Sequence, residues 1–522
     1  MTARRDGTQR TRRPMTIPPL WTHQAGAIGH IDAVPGYGAM LAMDMGTGKS
    51  RCVVELCNRE SLLNVLIICP KSVMPAWEKQ FRLFGQTSAH VLQGTVAHRA
   101  LMASHGGVVV VNYDVVWRPG MLDALRSVTW HLIVCDESHR ISNAQAKCSA
   151  TIHGLKAQRR LALSGTPMGQ SPLDIFSQYK FIDPNVFGTN WWAFLKRYAV
   201  THAQMIERVG RCPQGEDVCA VTGCRPEDLS RFKYLASASR ATCPVCKRSG
   251  KDCARCNGTG TVKGAPVVEP WMKASVYKLQ NEADLVQRYR TLAYECKASD
   301  VLDLPAVMHE TIEVELSPAE RRVYAGLEKE MMALIGDAEV SAAHLLTRLL
   351  RLQQAACGHT RADEDSPDAA GEVIVLGTSK RDALAELFEN TSASEPWVVF
   401  CRFRADLDAI HDAAGERRCF ELSGRKKELE AWQADDGGSV LAVQIQSGGV
   451  GIDLTRARYC AYFSVGNSLA QYVQSLARVH RPGQERPVAY YHLHAAGTID
   501  TAIFAALQER REVIDALLGM GR

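Results

Sequence analysis

Short apolar runs recur along the first part of the chain, and each run stops at a loop that is polar or rich in glycine. Four of them lie within 64–72, 107–113, 130–139 and 160–167. Unbroken apolar runs of this length are typical of buried parallel strands, and the stretches between them leave room for helices. The pattern predicts a doubly wound α/β domain, in which the loops at the strand ends converge on one edge of the sheet.

A second set of strands and helices follows further along. Residues 310–316 alternate like a strand, and Ser317-Pro318-Ala319-Glu320 has the cap, proline and acidic residue of a helix start. A helical pattern then continues to His359. Apolar strands are predicted again within 395–403 and 439–445, and the acidic stretch 362–371 predicts a surface loop.

A glycine-containing loop precedes these runs; it follows the short apolar stretch 41–43 and leads into an apparent helix. Its residues are Gly46, Thr47, Gly48, Lys49 and Ser50. Glycines let backbone N–H groups approach phosphate oxygens, and the helix N-terminus adds its dipole. Lys49 would reach the terminal phosphates of ATP, and the Ser50 hydroxyl would hold Mg²⁺. An ordinary glycine turn before a helix is the alternative interpretation.

Two further polar features are consistent with a nucleotide site. Gln24 lies about one helix before the glycine loop, and its amide can both donate to and accept from an adenine ring. Asp136 and Glu137 follow an apolar strand, where the aspartate can hold Mg²⁺ and the glutamate can orient and deprotonate a water. The alternatives are a polar helix start for Gln24 and a solvated turn for the acidic pair.

Composition narrows the class of protein. A chain of 522 residues is too long for one core, so two or three domains are expected. No apolar run is long enough to cross a bilayer, and the arginine-rich stretch 1–16 predicts a disordered basic tail, or extra phosphate contacts, rather than a secretion signal. The net charge of +5 permits nucleic-acid binding, and 17 scattered cysteines suit a reducing compartment.

One group of cysteines has metal-ligand spacing. Two Cys-x-x-Cys pairs could supply four thiolates to a tetrahedral Zn²⁺, and they are Cys243, Cys246, Cys253 and Cys256. The resulting zinc knuckle would either staple an insertion or grip DNA through the basic residues around it. The looser set Cys212, Cys219 and Cys224 predicts a partial second site or incidental thiols.

The ordered motifs resemble those of a known family. The segments 45–50, 136–139 and 163–167 are similar to motifs I, II and III of superfamily-two helicases with a DEAH-like box, and residues 172–176 look most like the Swi/Snf subfamily of duplex-DNA translocases. This resemblance implies two RecA-like parallel-sheet domains in tandem, with ATP and Mg²⁺ in the first. Ser138 stands where the family usually has alanine.

The second half resembles the same family. Residues 294–305 look like the segment that crosses between the two motor halves, and 446–455 resemble motif V, which implies that Gly451 and Asp453 face ATP. Residues 471–484 resemble motif VI, so Arg478 and Arg481 are expected on one helical face as arginine fingers. Loops at strand ends become candidate nucleic-acid contacts, namely Lys71, Ser72, Asn112, Tyr113, Arg402, Ser447, Gly448 and Gly449.

The sequence thus favours an ATP-dependent translocase on double-stranded DNA. A strand-separating DNA or RNA helicase and a zinc-dependent binding module with a switching ATPase are the alternatives. We expect a monomer in a bacterial or phage-infected cytoplasm, with no membrane contact. The expected segments are a tail at 1–16, a first motor domain at 17–200, a zinc insertion at 201–275, a crossover at 276–305 and a second motor domain with a helical protrusion at 306–522.

Overall fold

The structure, a computed structural model, describes residues 17–34, 36, 38–211, 240–242, 261–263, 276–336, 342–361, 372–446 and 452–519. The chain divides into two compact units. One consists of Met1–Asp183 and Arg290–Ala516, and the other of Pro184–Tyr289 and Leu517–Arg522. Both predicted RecA-like sheets lie in the larger unit, where we call them the first and second lobes.

The first lobe is built on a seven-stranded sheet in which all pairs are parallel. Its strands in chain order are β1 (Gly38–Met43), β2 (Val65–Cys69), β3 (Ala89–Val91), β4 (Val108–Asn112), β5 (Trp130–Asp136), β6 (Ala157–Ser164) and, after the smaller unit, β11 (Ala293–Cys296). The spatial order is β11-β1-β6-β5-β2-β4-β3. The four apolar runs within 64–72, 107–113, 130–139 and 160–167 form the neighbouring strands β2, β4, β5 and β6, and their carboxyl ends share one edge, as predicted.

Helices cover this sheet. They span Thr22–Ala33, Lys49–Arg59, Met74–Phe84, Val96–Ser104, Tyr113–Val116, Met121–Ser127, Lys147–His153 and Ile175–Ile182. Nearly every side chain of β2, β4 and β5 is buried, because apolar residues point to both faces of a sheet that is covered by helices on each side.

The second lobe contains a six-stranded parallel sheet of order β12-β19-β18-β15-β17-β16. Its strands are β12 (Val307–Val314), β15 (Trp397–Cys401), β16 (Cys419–Leu422), β17 (Val440–Gln444), β18 (Tyr459–Tyr462) and β19 (Val488–Ala495). Its helices are Pro318–Gly336, Ala342–Ala356, Ser379–Glu389, Arg404–Ala414, Leu429–Ala434, Leu469–Leu476 and Ile499–Gly519, with a short one at Ala298–Val301 before the sheet. Two tandem parallel sheets confirm the predicted α/β class.

The predicted helix start at Ser317 is confirmed. The Ser317 hydroxyl accepts from the Glu320 amide at 3.3 Å, and the Glu320 carboxylate accepts from the Ser317 amide at 2.8 Å, which completes a capping box. The helical pattern was expected to reach His359, and this is wrong. Gly358 has φ of +82°, which ends the helix, and His359 begins a short strand, β13 (His359–Arg361), paired with β14 (Val373–Val375).

The smaller unit has helices at Pro184–Phe187, Trp191–Tyr198, His202–Arg211 and Glu282–Arg290. Strand β7 (Ala199–Thr201) pairs with β10 (Val276–Leu279), and β8 (Arg240–Thr242) pairs with β9 (Thr261–Lys263), both antiparallel. The predicted zinc ligands Cys243, Cys246, Cys253 and Cys256 lie outside the described residues, as do Cys212, Cys219, Cys224 and the basic tail. Within the described ranges, no helix is both long and apolar enough to span a bilayer.

Candidate active site

The glycine loop joins β1 to the helix Lys49–Arg59. Gly46 and Gly48 have φ of +84° and +89°, a left-handed backbone conformation that residues with a Cβ rarely adopt. The Thr47 hydroxyl donates to the Asp44 carbonyl at 2.7 Å, which tightens the turn. The Lys49 ammonium donates to the carbonyls of Met43 and Asp44 at 2.7 and 3.1 Å. The loop thus folds back on itself and holds its lysine in the cradle.

A brace from the first helix supports this loop. The Gln24 amide donates to the Thr47 carbonyl at 3.2 Å and accepts from the Trp21 backbone amide at 3.0 Å, and His23 Nε2 lies 2.8 Å from the same Thr47 carbonyl oxygen. A Cβ added at Gly48 would collide with the Gln24 side chain. Gln24, which the sequence suggests as an adenine contact, therefore lies against the backbone of the glycine loop.

The acidic pair lies at the carboxyl end of β5, as predicted. Asp136 Oδ1 accepts from the Glu137 amide at 3.0 Å, and Glu137 has φ of +54°, a strained value for a non-glycine residue. Both side chains are buried. Burial, followed by the neighbouring Glu137 charge, raises the pKa of Asp136 to about 6, and burial also raises the pKa of Glu137 while Lys49 and Arg478 oppose that shift.

Two buried aromatic residues fix Asp136, and the sequence pattern predicts this role for neither of them. The Trp77 indole donates to Asp136 Oδ2 at 2.8 Å, and the Tyr113 hydroxyl donates to the Asp136 backbone carbonyl at 2.8 Å. Trp77 is fully buried in the first turns of the helix Met74–Phe84. In the sequence, Trp77 is distinguished only as an aromatic residue a few positions after a strand-end loop, which is equally typical of core packing, and Tyr113 is predicted as a nucleic-acid contact instead.

Polar contacts connect the acidic pair to the loop after β6. Ser138 donates to Gln178 at 2.6 Å, and Gln178 donates to the Pro167 carbonyl at 2.6 Å. His139 Nδ1 lies 3.4 Å from the Ser164 hydroxyl, which accepts from the Thr166 amide at 3.0 Å. Burial lowers the pKa of His139 to about 4, so its ring is neutral at physiological pH.

The second lobe places its own side chains near the acidic pair. Gln474, on the helix Leu469–Leu476, donates to Glu137 Oε2 at 3.2 Å. Arg478 is buried, and burial lowers its pKa to about 10 while the charge of Glu137 acts in the opposite direction. Arg481 donates to the Ile452 carbonyl at 3.0 Å, and its buried Nε lacks a hydrogen-bond partner among the described residues. Glu137 and Arg478 are thus buried, and Glu137 interacts with Gln474 through a hydrogen bond and with Arg478 through charge.

The expectation that Arg478 and Arg481 share a helical face is wrong. The helix ends at Leu476, and tight turns follow, in which the Arg478 amide donates to the Ser475 carbonyl and the Val479 amide to the Leu476 carbonyl. Pro482 disfavours helical geometry at the residue before it, so the arginines come from a turn. That turn also lies close to the glycine loop, since a Cβ at Gly46 would lie 2.7 Å from Pro482 Cδ.

The remaining predicted residues are spread over the two lobes. Ser50 lies in the first turn of the helix that begins at Lys49. Asp453 is exposed and accepts from the Thr455 amide and hydroxyl at 3.0 and 2.7 Å. Gly451, Ser447, Gly448 and Gly449 lie outside the described residues.

The predicted DNA contacts differ in exposure. Lys71 and Ser72 are exposed on a short turn after β2. Asn112 is buried instead, and its side-chain oxygen caps the helix Tyr113–Val116 by accepting from the Asp114 amide at 3.1 Å. Tyr113 is buried beneath Asp136. Arg402 lines a cleft of about 280 Å³ with Gln170, Gln446 and Gln471, among others, and its guanidinium donates to Gln353.

The donor set suits magnesium bound together with phosphate. Mg²⁺ prefers hard oxygen ligands and usually keeps water and substrate oxygens in its shell. Asp136 and the Ser50 hydroxyl are oxygen donors of this kind. No group of three or more His, Cys, Asp or Glu residues that could hold a metal occurs in the part of the chain that the structure describes. Asp136 and Ser50 would hold the metal together with nucleotide oxygens.

Comparisons with known proteins agree with the motif order. The family described as SNF2-related domain matches residues 23–231, and the helicase conserved C-terminal domain matches residues 379–483. The DNA repair and recombination protein RAD54B of Gallus gallus is 21% identical and covers 93% of this chain, which spans 52% of that protein. The putative ATP-dependent helicase/translocase YwqA of Bacillus subtilis is 23% identical over 92% of this chain and 47% of its own length.

Other matches are longer proteins or distant structures. The TATA-binding protein-associated factor mot1 of Aspergillus fumigatus is 23% identical over 89% of this chain, which spans 25% of that protein. The chain thus spans about half or less of the length of these curated relatives. A solved structure, the Sulfolobus solfataricus SWI2/SNF2 ATPase core in complex with dsDNA, covers 97% of this chain and 94% of its own, at 20% identity and a TM-score of 0.37.

Proposed function

We propose that this chain, which carries the SNF2-related and helicase C-terminal domains of a Swi/Snf-like superfamily-two motor, hydrolyses ATP in order to move along duplex DNA. The observation that carries the proposal is the convergence on Glu137. Its carboxylate lies at the carboxyl end of β5 in the first lobe, where the charge of Lys49 from the glycine loop acts on it, and it accepts from Gln474 and interacts with the charge of Arg478, both of the second lobe. ATP hydrolysis at this point would depend on both lobes, as a motor requires.

The residues divide the chemistry of phosphoryl transfer among them. Lys49 leaves its two carbonyl acceptors and binds the terminal phosphates, while the loop amides bind their oxygens. Glu137 orients the attacking water and accepts its proton, and the raised pKa brings the carboxylate closer to that task. Arg478 and Arg481 neutralise charge that develops on the transferred phosphoryl group. Mg²⁺, when bound through Ser50 and Asp136, neutralises the phosphates.

Polar groups at the strand ends are proposed to hold the DNA backbone; Lys71 and Ser72 are exposed, Arg402 is half-buried and Asn112 is buried. Lys71, Ser72, Asn112 and Arg402, together with the segment 447–449, would contact phosphates without reading base sequence. Trp117 is exposed close to Asn112 in sequence, and the Lys147 ammonium lies 5.7 Å from its ring centre, so these two extend the candidate surface. The loop 164–166 would couple ATP hydrolysis to DNA contact, because it packs closely against the end of β1 that leads into the glycine loop. A Cβ at Gly165 would lie 3.4 Å from the Met43 carbonyl oxygen.

The insertion is proposed to bind Zn²⁺ through Cys243, Cys246, Cys253 and Cys256, on the basis of their spacing. Metal analysis of the purified protein should find about one zinc per chain. Deletion of 201–270 then separates the two roles of the knuckle. If ATPase activity persists and duplex affinity collapses, the insertion grips DNA, and if both persist it is a structural staple.

The decisive experiment measures ATPase rate with duplex DNA, single-stranded DNA and RNA, and uses Lys49→Ala as the blank. Stimulation mainly by duplex DNA is the expected result. Stimulation mainly by single strands would contradict the proposal and favour a strand-separating helicase. A Lys49-dependent rate that no nucleic acid changes would also contradict it and favour a binding module whose ATPase is a switch.

A further inference from the structure

The two first-lobe segments that are proposed to touch DNA also touch Asp136. Strand β2 continues into the exposed turn that carries Lys71 and Ser72, and β4 ends at Asn112. Register pairs Cys69 with Asn112, and the adjacent residue of β2, Ile68, pairs with Cys135 of β5. The ends of β2, β4 and β5 therefore form one row, with Asp136 in it.

Each of these segments sends one buried hydrogen-bond donor to Asp136. The turn Lys71–Val73 runs directly into the helix Met74–Phe84, whose Trp77 donates to Asp136 Oδ2 at 2.8 Å. The next residue after Asn112 is Tyr113, which donates to the Asp136 carbonyl oxygen at 2.8 Å. One donor sets the direction of the carboxylate, and the other sets the position of its backbone.

We infer that Trp77 and Tyr113 are positioning residues that couple duplex contact to the magnesium-binding geometry of Asp136. Because the turn and helix share one continuous backbone, a shift of Lys71 and Ser72 against a DNA strand moves the Trp77 indole. Hydrogen bonds weaken steeply when distance and angle depart from their optimum, so a small displacement changes how firmly the carboxylate is held. The inference rests on the proposed function and concerns how DNA regulates that same site.

The test measures binding rather than turnover. A fluorescent ADP analogue is titrated with Mg²⁺ in the presence and absence of duplex DNA, and the ratio of the two half-saturating Mg²⁺ concentrations measures the coupling. The variants are Trp77→Phe and Tyr113→Phe. Tyr113→Phe removes one hydroxyl and keeps the ring, so it tests the inference even if Trp77→Phe fails to fold.

Matched controls come from the same chain. Trp130→Phe removes a buried indole donor that bonds the Leu125 carbonyl at 2.9 Å, at the opposite end of β5 from Asp136. Tyr324→Phe removes a buried hydroxyl that accepts from the Ile499 amide at 2.8 Å in the second lobe. Each control loses the same chemical group without touching Asp136.

In wild type we expect duplex DNA to change the Mg²⁺ requirement by about fivefold or more, which is the lower range of ordinary allosteric coupling. The ratio of the half-saturating Mg²⁺ concentrations with and without duplex DNA should move close to one in Trp77→Phe and Tyr113→Phe. It should stay at the wild-type value in both controls. A wild-type ratio of one, or variants that match wild type, would overturn the inference while duplex-stimulated ATPase still stands. Absence of that stimulation in wild type would instead overturn the proposed function.

Discussion

Glu137 occupies a backbone conformation that a side-chain-bearing residue rarely adopts, with φ of +54°. Such conformations cost free energy and persist where the surroundings enforce them, which is common at active sites. Here the enforcing contacts are the Asp136 carboxylate on its amide and Gln474 on its own carboxylate. With this backbone conformation, Glu137 does not continue the alternation of side chains along β5, and its carboxylate reaches Gln474 of the second lobe.

Glu137→Gln should separate binding from hydrolysis. The amide has nearly the same shape and can still bond Gln474, but it cannot accept a proton from water. We expect ATP affinity within a few-fold of wild type and a kcat lower by about 10²-fold or more. Equilibrium binding of ATP together with single-turnover hydrolysis measures both. A variant that hydrolyses ATP at the wild-type rate would exclude Glu137 as the base.

Arg478→Ala should lower kcat far more than it changes stability. The guanidinium faces the charge of Glu137 from a buried position, and its proposed role is to stabilise transition-state charge. Loss of such a group lowers the rate by about 10³-fold or more. The control is Arg486→Ala, which removes an arginine bonded to Glu395 at 3.1 Å in the same lobe. Equal effects of the two substitutions on steady-state ATPase would contradict a specific role for Arg478.

At the scale of elements, strands were predictable and the geometry of turns was not. Apolar runs identified β2, β4, β5 and β6 because burial on both faces leaves an unmistakable pattern. The turn that carries Arg478 and Arg481 differs from the helical face that the sequence predicts, because helix ends are decided by local competition among weak hydrogen bonds. The contacts of Trp77 and Tyr113 with Asp136 depend on tertiary placement, which spacing along the chain does not encode.

The strand β19 contains a buried histidine that should make the second lobe sensitive to acid. Burial, followed by repulsion from His309 and His494 when those rings are protonated, lowers the pKa of His492 to about 3, and His492 stacks on Tyr462. The folded chain therefore keeps this ring neutral, while the unfolded chain binds a proton below about pH 6.5. The neutral ring therefore contributes to stability above about pH 6.5, and this contribution is lost as the pH falls towards the pKa of about 3 that His492 has in the folded chain.

His492→Phe should flatten this dependence. Between about pH 6.5 and about pH 5, the free energy of unfolding of wild type should fall by roughly 1.5 kcal/mol more than that of the variant. Urea unfolding at the two pH values measures the difference, and His105→Gln, on the surface, controls for loss of a histidine. Parallel pH profiles for wild type and His492→Phe would show that another group causes the acid sensitivity.

At the scale of the larger unit, polar contacts connect the two lobes. Gln170 donates to the Ser468 hydroxyl at 3.0 Å, and the Asp44 carboxylate in the phosphate loop accepts from the Ala298 amide at 2.9 Å in the segment leading to the second lobe. Small polar contacts of this kind separate and re-form more readily than an apolar core, which suits lobes that move during a cycle.

A cross-link between Gln170→Cys and Ser468→Cys should therefore stop cycling. With a short bis-maleimide bridge, we expect steady-state ATPase to fall at least about tenfold because the lobes can no longer separate to release product. Each single cysteine variant treated in the same way controls for modification of other thiols. Full activity in the bridged protein would show that hydrolysis does not require the two lobes to part at this contact.

The position of Lys49 has a consequence for which anions the loop accepts. Its ammonium already satisfies two carbonyl oxygens, and hydrogen bonds to a charged group contribute about 1.5–3 kcal/mol each. An incoming anion must offer more than these internal acceptors before the lysine exchanges partners. Sulfate or a single phosphate offers little beyond them, whereas a triphosphate brings several oxygens and more charge. We therefore expect the resting loop to bind triphosphates in preference to the abundant small anions of the cell.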